Sequence, residues 1–335
     1  MIRLRAICGV ATACAGLLGT AGEAGACPAA PPAIRDLEMS RPYTDDVGSA
    51  ADTATTARHV AEAEPLKAWL SFVTRSADAA MSAGGDAAAE AGRCAVGWIA
   101  EWARAGALLG DMTSKQAEYE RKWDMTGAAL AWLKVRRHAS TDERRDIDTW
   151  LARLADAATH FAELPGHKRN NHWFWLGLGL GAVAIATADP VRWARAHAIF
   201  RDALADIAAD GTLRLEMARG KRALHYHAFA LMPLVTLAEL AASRGEDWWS
   251  EREGSLHRLV AVTLRGLADP AQFDRLAAVA QERPVNPQAG WIALYAARFP
   301  ERVPADVPAS KPSHRWLGGD VRSLSGATAD SRPRR

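Results

Sequence analysis

The chain has 335 residues, of which 49% are hydrophobic, 24% charged and 7% aromatic, and its 41 basic and 39 acidic residues leave a formal charge of +2. The length suits one large domain or two small ones, and the composition excludes collagen-like and disordered classes. The charge balance gives no case for nucleic-acid binding.

Residues 1–26 read as a cleaved signal peptide. Arg3 and Arg5 make a basic start, Ala6 to Gly19 is a short apolar run, and Ala24-Gly25-Ala26 is a small-residue cleavage site. The run is shorter than the ~20 apolar residues of a spanning helix, so no membrane insertion is expected. Cys27 follows the cut, but a lipid-attachment site wants Leu where Ala24 stands, which favours a soluble exported protein. Loss of Cys8 and Cys14 with the signal leaves Cys27 and Cys94, which in an oxidising compartment most economically form one bridge. No Cys/His spacing suggests zinc.

Residues 27–50 carry Pro and Gly and read as an irregular arm. Beyond them Ala, Leu, Trp, Arg and Glu recur at spacings of three and four, the helical period, and nothing alternates as a strand does. The spacing predicts one or two helices over 52–83, then helices over 86–109, 113–137 and 141–164, the last stopped by Pro165-Gly166. Trp173 to Ala188 carries no charge and fits a helix buried on all sides. Asp189-Pro190 caps and starts a helix that ends at Asp210-Gly211. Further helices are expected over roughly 222–244, with Pro233 as a kink, and over 248–267, 270–281 and 287–297. Residues 301–335 are Pro-rich and read as an irregular tail. A solenoid needs a fixed repeat, and none is present. The expected fold is therefore all-α, an incomplete (α/α) toroid or barrel of about ten to twelve helices over 51–300 with an open groove and 173–188 in its inner ring. The 13 Trp residues are read first as core.

Two clusters break the Ala-rich background: Lys168-Arg169-Asn170-Asn171-His172-Trp173-Phe174-Trp175 and Arg219-Gly220-Lys221-Arg222-Ala223-Leu224-His225-Tyr226-His227. Each puts polar and basic residues at the entrance of an apolar helix. Cations there oppose the helix dipole, a local cost that points to an anionic partner. Ordinary readings stay open: a helix cap for Asn170-Asn171, a satisfied imidazole for His172, a solvated face for Arg219 and Arg222. Arg219 and Tyr226 are seven apart and share a helix face. His225 and His227 lie about 200° apart around a helix and cannot share a metal from it.

Asn170 to Trp175 parallels the motif N-N-H-S-Y-W, and Arg219 to Leu231, RGKRALHYHAFAL, parallels R-R-Q-R-A-L-A-Y-H-N-Y-A-L. Weaker parallels are Cys27-Pro28, Trp102 to Leu108, Arg121-Lys122-Trp123 and Leu317-Gly318-Gly319-Asp320. Through them nearly the whole mature chain resembles the periplasmic alginate lyases, the poly(β-D-mannuronate) lyases of polysaccharide lyase family 5. Two departures bear on which polymer is preferred: Glu118 stands at the place of a family Lys, with Lys115 nearby, and Trp173-Phe174 replaces S-Y.

The resemblance implies a periplasmic, monomeric enzyme that cleaves an anionic polysaccharide, most simply mannuronate-rich alginate, by β-elimination without a metal or other cofactor. It implies that Asn171, His172 and Arg219 neutralise the uronate carboxylate and that Tyr226 serves as base, acid or both, its phenolate favoured by the neighbouring cations. Tyr43, Arg121, Lys122, Trp123, Asn170, Trp175 and Arg222 are the expected substrate-binding residues, with Tyr43 on a lid segment, Ser40 to Asp46. A lyase for another polyuronate such as glucuronan and a non-catalytic polysaccharide-binding protein are the alternatives. A glycoside hydrolase would need two acidic residues facing the sugar, and neither cluster offers a pair.

Overall fold

The computed structural model describes residues 27–45, 48–283 and 290–324. The expected signal peptide lies outside them. Among the described residues there are eleven α-helices: α1 (Thr53–Ser82), α2 (Gly85–Arg104), α3 (Lys115–Val135), α4 (Thr141–Ala162), α5 (Asn171–Thr187), α6 (Pro190–Asp206), α7 (Arg214–Met217), α8 (Ala223–Ser243), α9 (Glu251–Ala268), α10 (Ala271–Ala277) and α11 (Trp291–Arg298). Strand is confined to a two-residue pairing of β1 (Ser313–His314) with β2 (Gly319–Asp320).

The starts follow side-chain chemistry. Asp52, Ser114, Ser140 and Asp189 each accept a first-turn N–H, and Ser140 with Glu143 completes a capping box. Helix α1 runs unbroken through Pro65. The helix expected over 270–281 stops at Ala277, because Ala278 turns left-handed and Gln281 leaves to bind elsewhere.

Helices α1, α3, α5, α8 and α11 pack side by side as an inner ring, with α2, α4, α6 and α9 outside them. The charge-free α5 is buried from Trp173 to Ala186. Its glycines are there for approach: a Cβ on Gly177 would lie 2.8 Å from Ile199 of α6, and one on Gly179 would lie 2.5 Å from Met125 of α3. Helix α8 with its preceding turn is apolar and long enough to cross a membrane, but most of it is buried within the body.

The described part of the expected tail, residues 301–324, packs on the body. It touches α11 near both its ends and α1 and α3 through its middle, so it bridges the last inner helix and the first. Lys134 of α3, with a fully buried side chain, grips it by donating to the Gly318 carbonyl at 2.6 Å, the Asp320 carbonyl at 2.9 Å and Asp78 at 2.7 Å.

At the other terminus Cys27 and Cys94 are bridged, with Cα atoms 5.5 Å apart. The arm is further tied to α2 where Trp98 and Trp102 donate to the carbonyls of Pro28 and Pro31 at 2.8 and 2.9 Å. Reduction is expected to lower the melting temperature by several degrees. A 67-residue loop is worth roughly 2–4 kcal/mol by the loop-entropy argument. Calorimetry with and without reductant, against a Cys27→Ser/Cys94→Ser control, checks this.

Candidate active site

A groove of about 990 Å³ opens over the inner helices. Helices α5 and α8 both begin at it. Asn170 caps α5 by accepting from the His172 N–H at 3.1 Å, so the cap reading holds while the residue also lines the wall. The N-termini of the two helices give the groove a positive field. Lys115, Lys122, Lys168, Arg219 and Arg222 add to it. Of the acidic residues in the wall, Glu118 is spoken for by Arg121, with which it forms a hydrogen-bonded ion pair.

Arg219 and Tyr226 meet, but not on one helix face as expected: Gly220 turns left-handed between them and α8 begins only at Ala223, so Arg219 reaches over from the preceding turn. The Arg219 guanidinium lies 4.2 Å from the Tyr226 ring centroid and that of Arg222 lies 5.3 Å from it. Arg222 is also 4.9 Å from the ring of Tyr43, which hydrogen-bonds Tyr226. The Gly48 carbonyl accepts from Tyr226 at 3.4 Å and from Arg222 at 3.3 Å. Tyr43 of the expected lid segment and Gly48 just beyond it both lie against these groups, whereas Asp46 lies outside the described residues. Only glycine fits at 48: its φ is +69°, and a Cβ there would sit 2.9 Å from both Arg219 and Tyr226.

The protonation of Tyr226 differs from the expectation. Burial, and then Tyr43, hold its pKa well above that of an ordinary tyrosine, although Arg222 and Arg219 pull it down. In the closed groove the phenol, not the phenolate, is the resting form. His172 goes the other way. Burial first, then Lys122, Arg219 and His167, hold its imidazole well below the usual value, so it is neutral at neutral pH. Its ring stacks on Tyr119 at 3.7 Å, and Lys122 donates to its backbone carbonyl at 3.0 Å. Burial brings Lys122 down to about 7, with Glu118 opposing.

Eight of the expected residues reach the groove: Tyr43, Lys122, Trp123, Asn170, His172, Arg219, Arg222 and Tyr226. Three do not. Arg121 is buried against Glu118 and the Ala157 carbonyl, because in this helix register Tyr119 and Trp123 face the groove and 121 faces α4. Trp175 is fully buried beneath Phe229 and Trp316 as core. Asn171 stands behind the wall, its backbone N–H and Nδ2 donating to Glu216 at 2.8 and 3.0 Å. Glu216 in turn lies 3.4 Å from Arg219, so Glu216 links Asn171 to Arg219. His227 is core: Nδ1 donates to the Ala223 carbonyl and Nε2 accepts from Leu213.

Sequence reasoning missed Glu216, Tyr119 and Trp316. Glu216 precedes Arg219 by three residues, a helical ion-pair spacing that could have revealed it. Trp316 stacks on Trp123 at 4.5 Å from the far end of the chain, where no local signal exists.

The sequence profile of the alginate lyases matches residues 36–273. The chain belongs to the alginate lyase family. It is 40% identical to a polysaccharide lyase of Stenotrophomonas maltophilia over 91% of this chain and 92% of that one. It is 28% identical to an alginate lyase of Pseudomonas aeruginosa over 90% and 85%. The alginate lyase A1-III of Sphingomonas species A1 superposes with a TM-score of 0.74 at 21% identity, over 89% of this chain and 86% of that one. A complex of alginate lyase A1-III with a tetrasaccharide superposes at 0.78, with 20% identity over 89% and 85%. The incomplete α/α toroid is thus the fold of these lyases, and the groove is that of a polysaccharide lyase.

Proposed function

We propose that the chain cleaves 4-O-glycosidic bonds of mannuronate-rich alginate by β-elimination, leaving 4,5-unsaturated uronate ends. The observation that carries this reading is the packing of Arg219 and Arg222 on the Tyr226 ring in a cationic groove that His172 also lines.

The C5 proton of a uronate is α to a carboxylate and hardly acidic. Donors aimed at the carboxylate make the developing charge tolerable, usually the largest catalytic contribution. Arg219 can take it bidentately, and His172 can add a neutral N–H. The base then removes H5, the C5 electron pair forms the C4–C5 double bond, the C4–O4 bond breaks, and O4 takes a proton. In β-D-mannuronate H5 and O4 lie on one side of the ring, so Tyr226 can serve both steps once the substrate has displaced Tyr43 and Gly48 and the phenol has given its proton to solvent, leaving a phenolate held by Arg219 and Arg222 that takes H5 and then passes that proton to O4. In guluronate they lie on opposite sides. A neutral His172 and a protonated Tyr226 are then the matching base and acid.

A second reading, a lyase for another polyuronate, is favoured by Glu118 at the place of a family Lys. The basic start and small-residue cleavage site of 1–26, with the Cys27–Cys94 bridge, support a periplasmic location. The test is incubation with polymannuronate, polyguluronate and polyglucuronate, following absorbance of the new double bond. The fastest rise is expected on polymannuronate. Binding without any rise would make the protein a silent polysaccharide binder.

A further inference from the structure

The groove wall contains two carboxyls that the mechanism does not use, and only one of them, Glu118, is ion-paired to an arginine. Glu120 of α3 lines the groove, yet the residue is only 1% exposed. Gln116 donates to Oε1 at 3.3 Å and His59 Nε2 lies 3.7 Å from it, while Oε2 has no partner. An unmet buried oxygen costs about 1–3 kcal/mol, so its survival beside a polar groove points to a ligand. Asp124, one turn on, accepts from Trp316 at 3.1 Å, which places the groove-lining Trp316 and Glu120 on one stretch of wall.

We propose that Glu120 is a substrate-binding residue whose neutral carboxylic acid donates a hydrogen bond to an oxygen of the bound uronate chain at the α1 side of the groove. This rests on the polyuronate reading above and deepens it. A carboxylate at that place would repel a polyanion, whereas a carboxylic acid recognises it.

The surroundings keep the proton on. Burial, and then Asp124, push Glu120 up to about 8, against Arg315 and Gln116. The other charged or titratable groups around it are His59 and Glu62 on α1, Asp124 on its own helix, and His314 and Arg315 of the closing segment. Burial lowers His59 and brings His314 down to about 3, and burial raises Asp124 to about 6. Of the shifted groups, Glu120 is the one raised into the range between pH 7 and 9. Its sign in folding follows from its raised pKa. The stabilisation is complete below the unfolded value of 4.5 and is lost as pH rises through about 8.

The test is titration of mannuronate oligosaccharide into Tyr226→Phe protein, so that the ligand survives, with and without Glu120→Gln or Glu120→Ala. Glutamine keeps a donor and cannot ionise. With glutamate at 120, Kd is expected to rise by up to about tenfold more than with glutamine between pH 7 and 9. Lys122 loses charge in both proteins and cancels. Glu120→Ala is expected to weaken binding several-fold at pH 7. Equal pH slopes for glutamate and glutamine would overturn the proposal, and so would wild-type affinity in a folded Glu120→Ala protein. If the alanine variant does not fold, the glutamine comparison decides alone. Absence of unsaturated ends with wild type on every polyuronate sinks the lyase reading separately, because the titration needs no turnover.

Discussion

Tyr226→Phe is expected to lower turnover of polymannuronate by about 10³-fold, within the usual 10²–10⁴ for loss of a positioned acid or base. Polymer affinity and fold should change little. The ring stays between Arg219 and Arg222, and the only backbone acceptor lost is the Gly48 carbonyl at 3.4 Å, worth at most about 1 kcal/mol. The variant should bind oligosaccharide within about threefold of wild type, since the cations that meet a polyanion remain. Initial rates from double-bond absorbance, paired with titration of the same oligosaccharide, separate the two quantities. Residual elimination above about a tenth of wild type on mannuronate would refute Tyr226 as the proton-transfer group and leave His172 as the better base. On polyguluronate His172→Ala should be as damaging as Tyr226→Phe, because there the two roles fall on different sides of the ring.

Arg219→Ala should behave differently, losing binding and turnover together. It removes the guanidinium that can grip the uronate carboxylate, so kcat/KM is expected to fall by about 10³-fold with KM up about tenfold. It also strips Glu216, 1% exposed, of its cation and leaves the carboxylate held by Asn171 alone. Breaking a buried pair from one side costs roughly 3–5 kcal/mol, so the melting temperature should drop as well. Arg219→Lys separates the contributions. It restores charge but not the planar fork, and should recover stability and KM more than kcat. Full kcat in Arg219→Ala with only KM altered would make Arg219 a groove cation and nothing more.

The helices were legible because their period is local. The all-apolar run from Trp173 to Ala188 announced a buried inner helix, and Asn170 and Asp189 announced its boundary and the next start. The sequence spacing brought Arg219 and Tyr226 together only on the premise of one helix, and that premise fails: Gly220 turns left-handed between them and α8 begins at Ala223, so Arg219 reaches the Tyr226 ring from the preceding turn. Local spacing could not give the register of α3. Arg121-Lys122-Trp123 reads as one basic-aromatic motif, yet successive residues on a helix point about 100° apart, and Arg121 faces α4. Nor could it show that Trp316 would lie on Trp123, or that Tyr43 would raise the Tyr226 pKa, since both depend on chain segments that meet only in three dimensions.

The grip of Lys134 on Gly318 and Asp320 joins residues 184 and 186 positions apart. Contacts of that range form late, because a long loop must be closed before they repay its entropy. As the chain emerges from its N-terminus onward, the residues of α3, α5 and α8 are available well before the segment that seals them. Until it arrives, the Lys134 ammonium lacks both carbonyls and Trp123 lacks its stacking partner. This wall of the groove is thus assembled last. A nascent or clipped chain lacking residues 313–320 would hold Tyr226, His172 and Arg219 yet leave the ring open beside them, which ties the birth of the groove to the completion of the polypeptide.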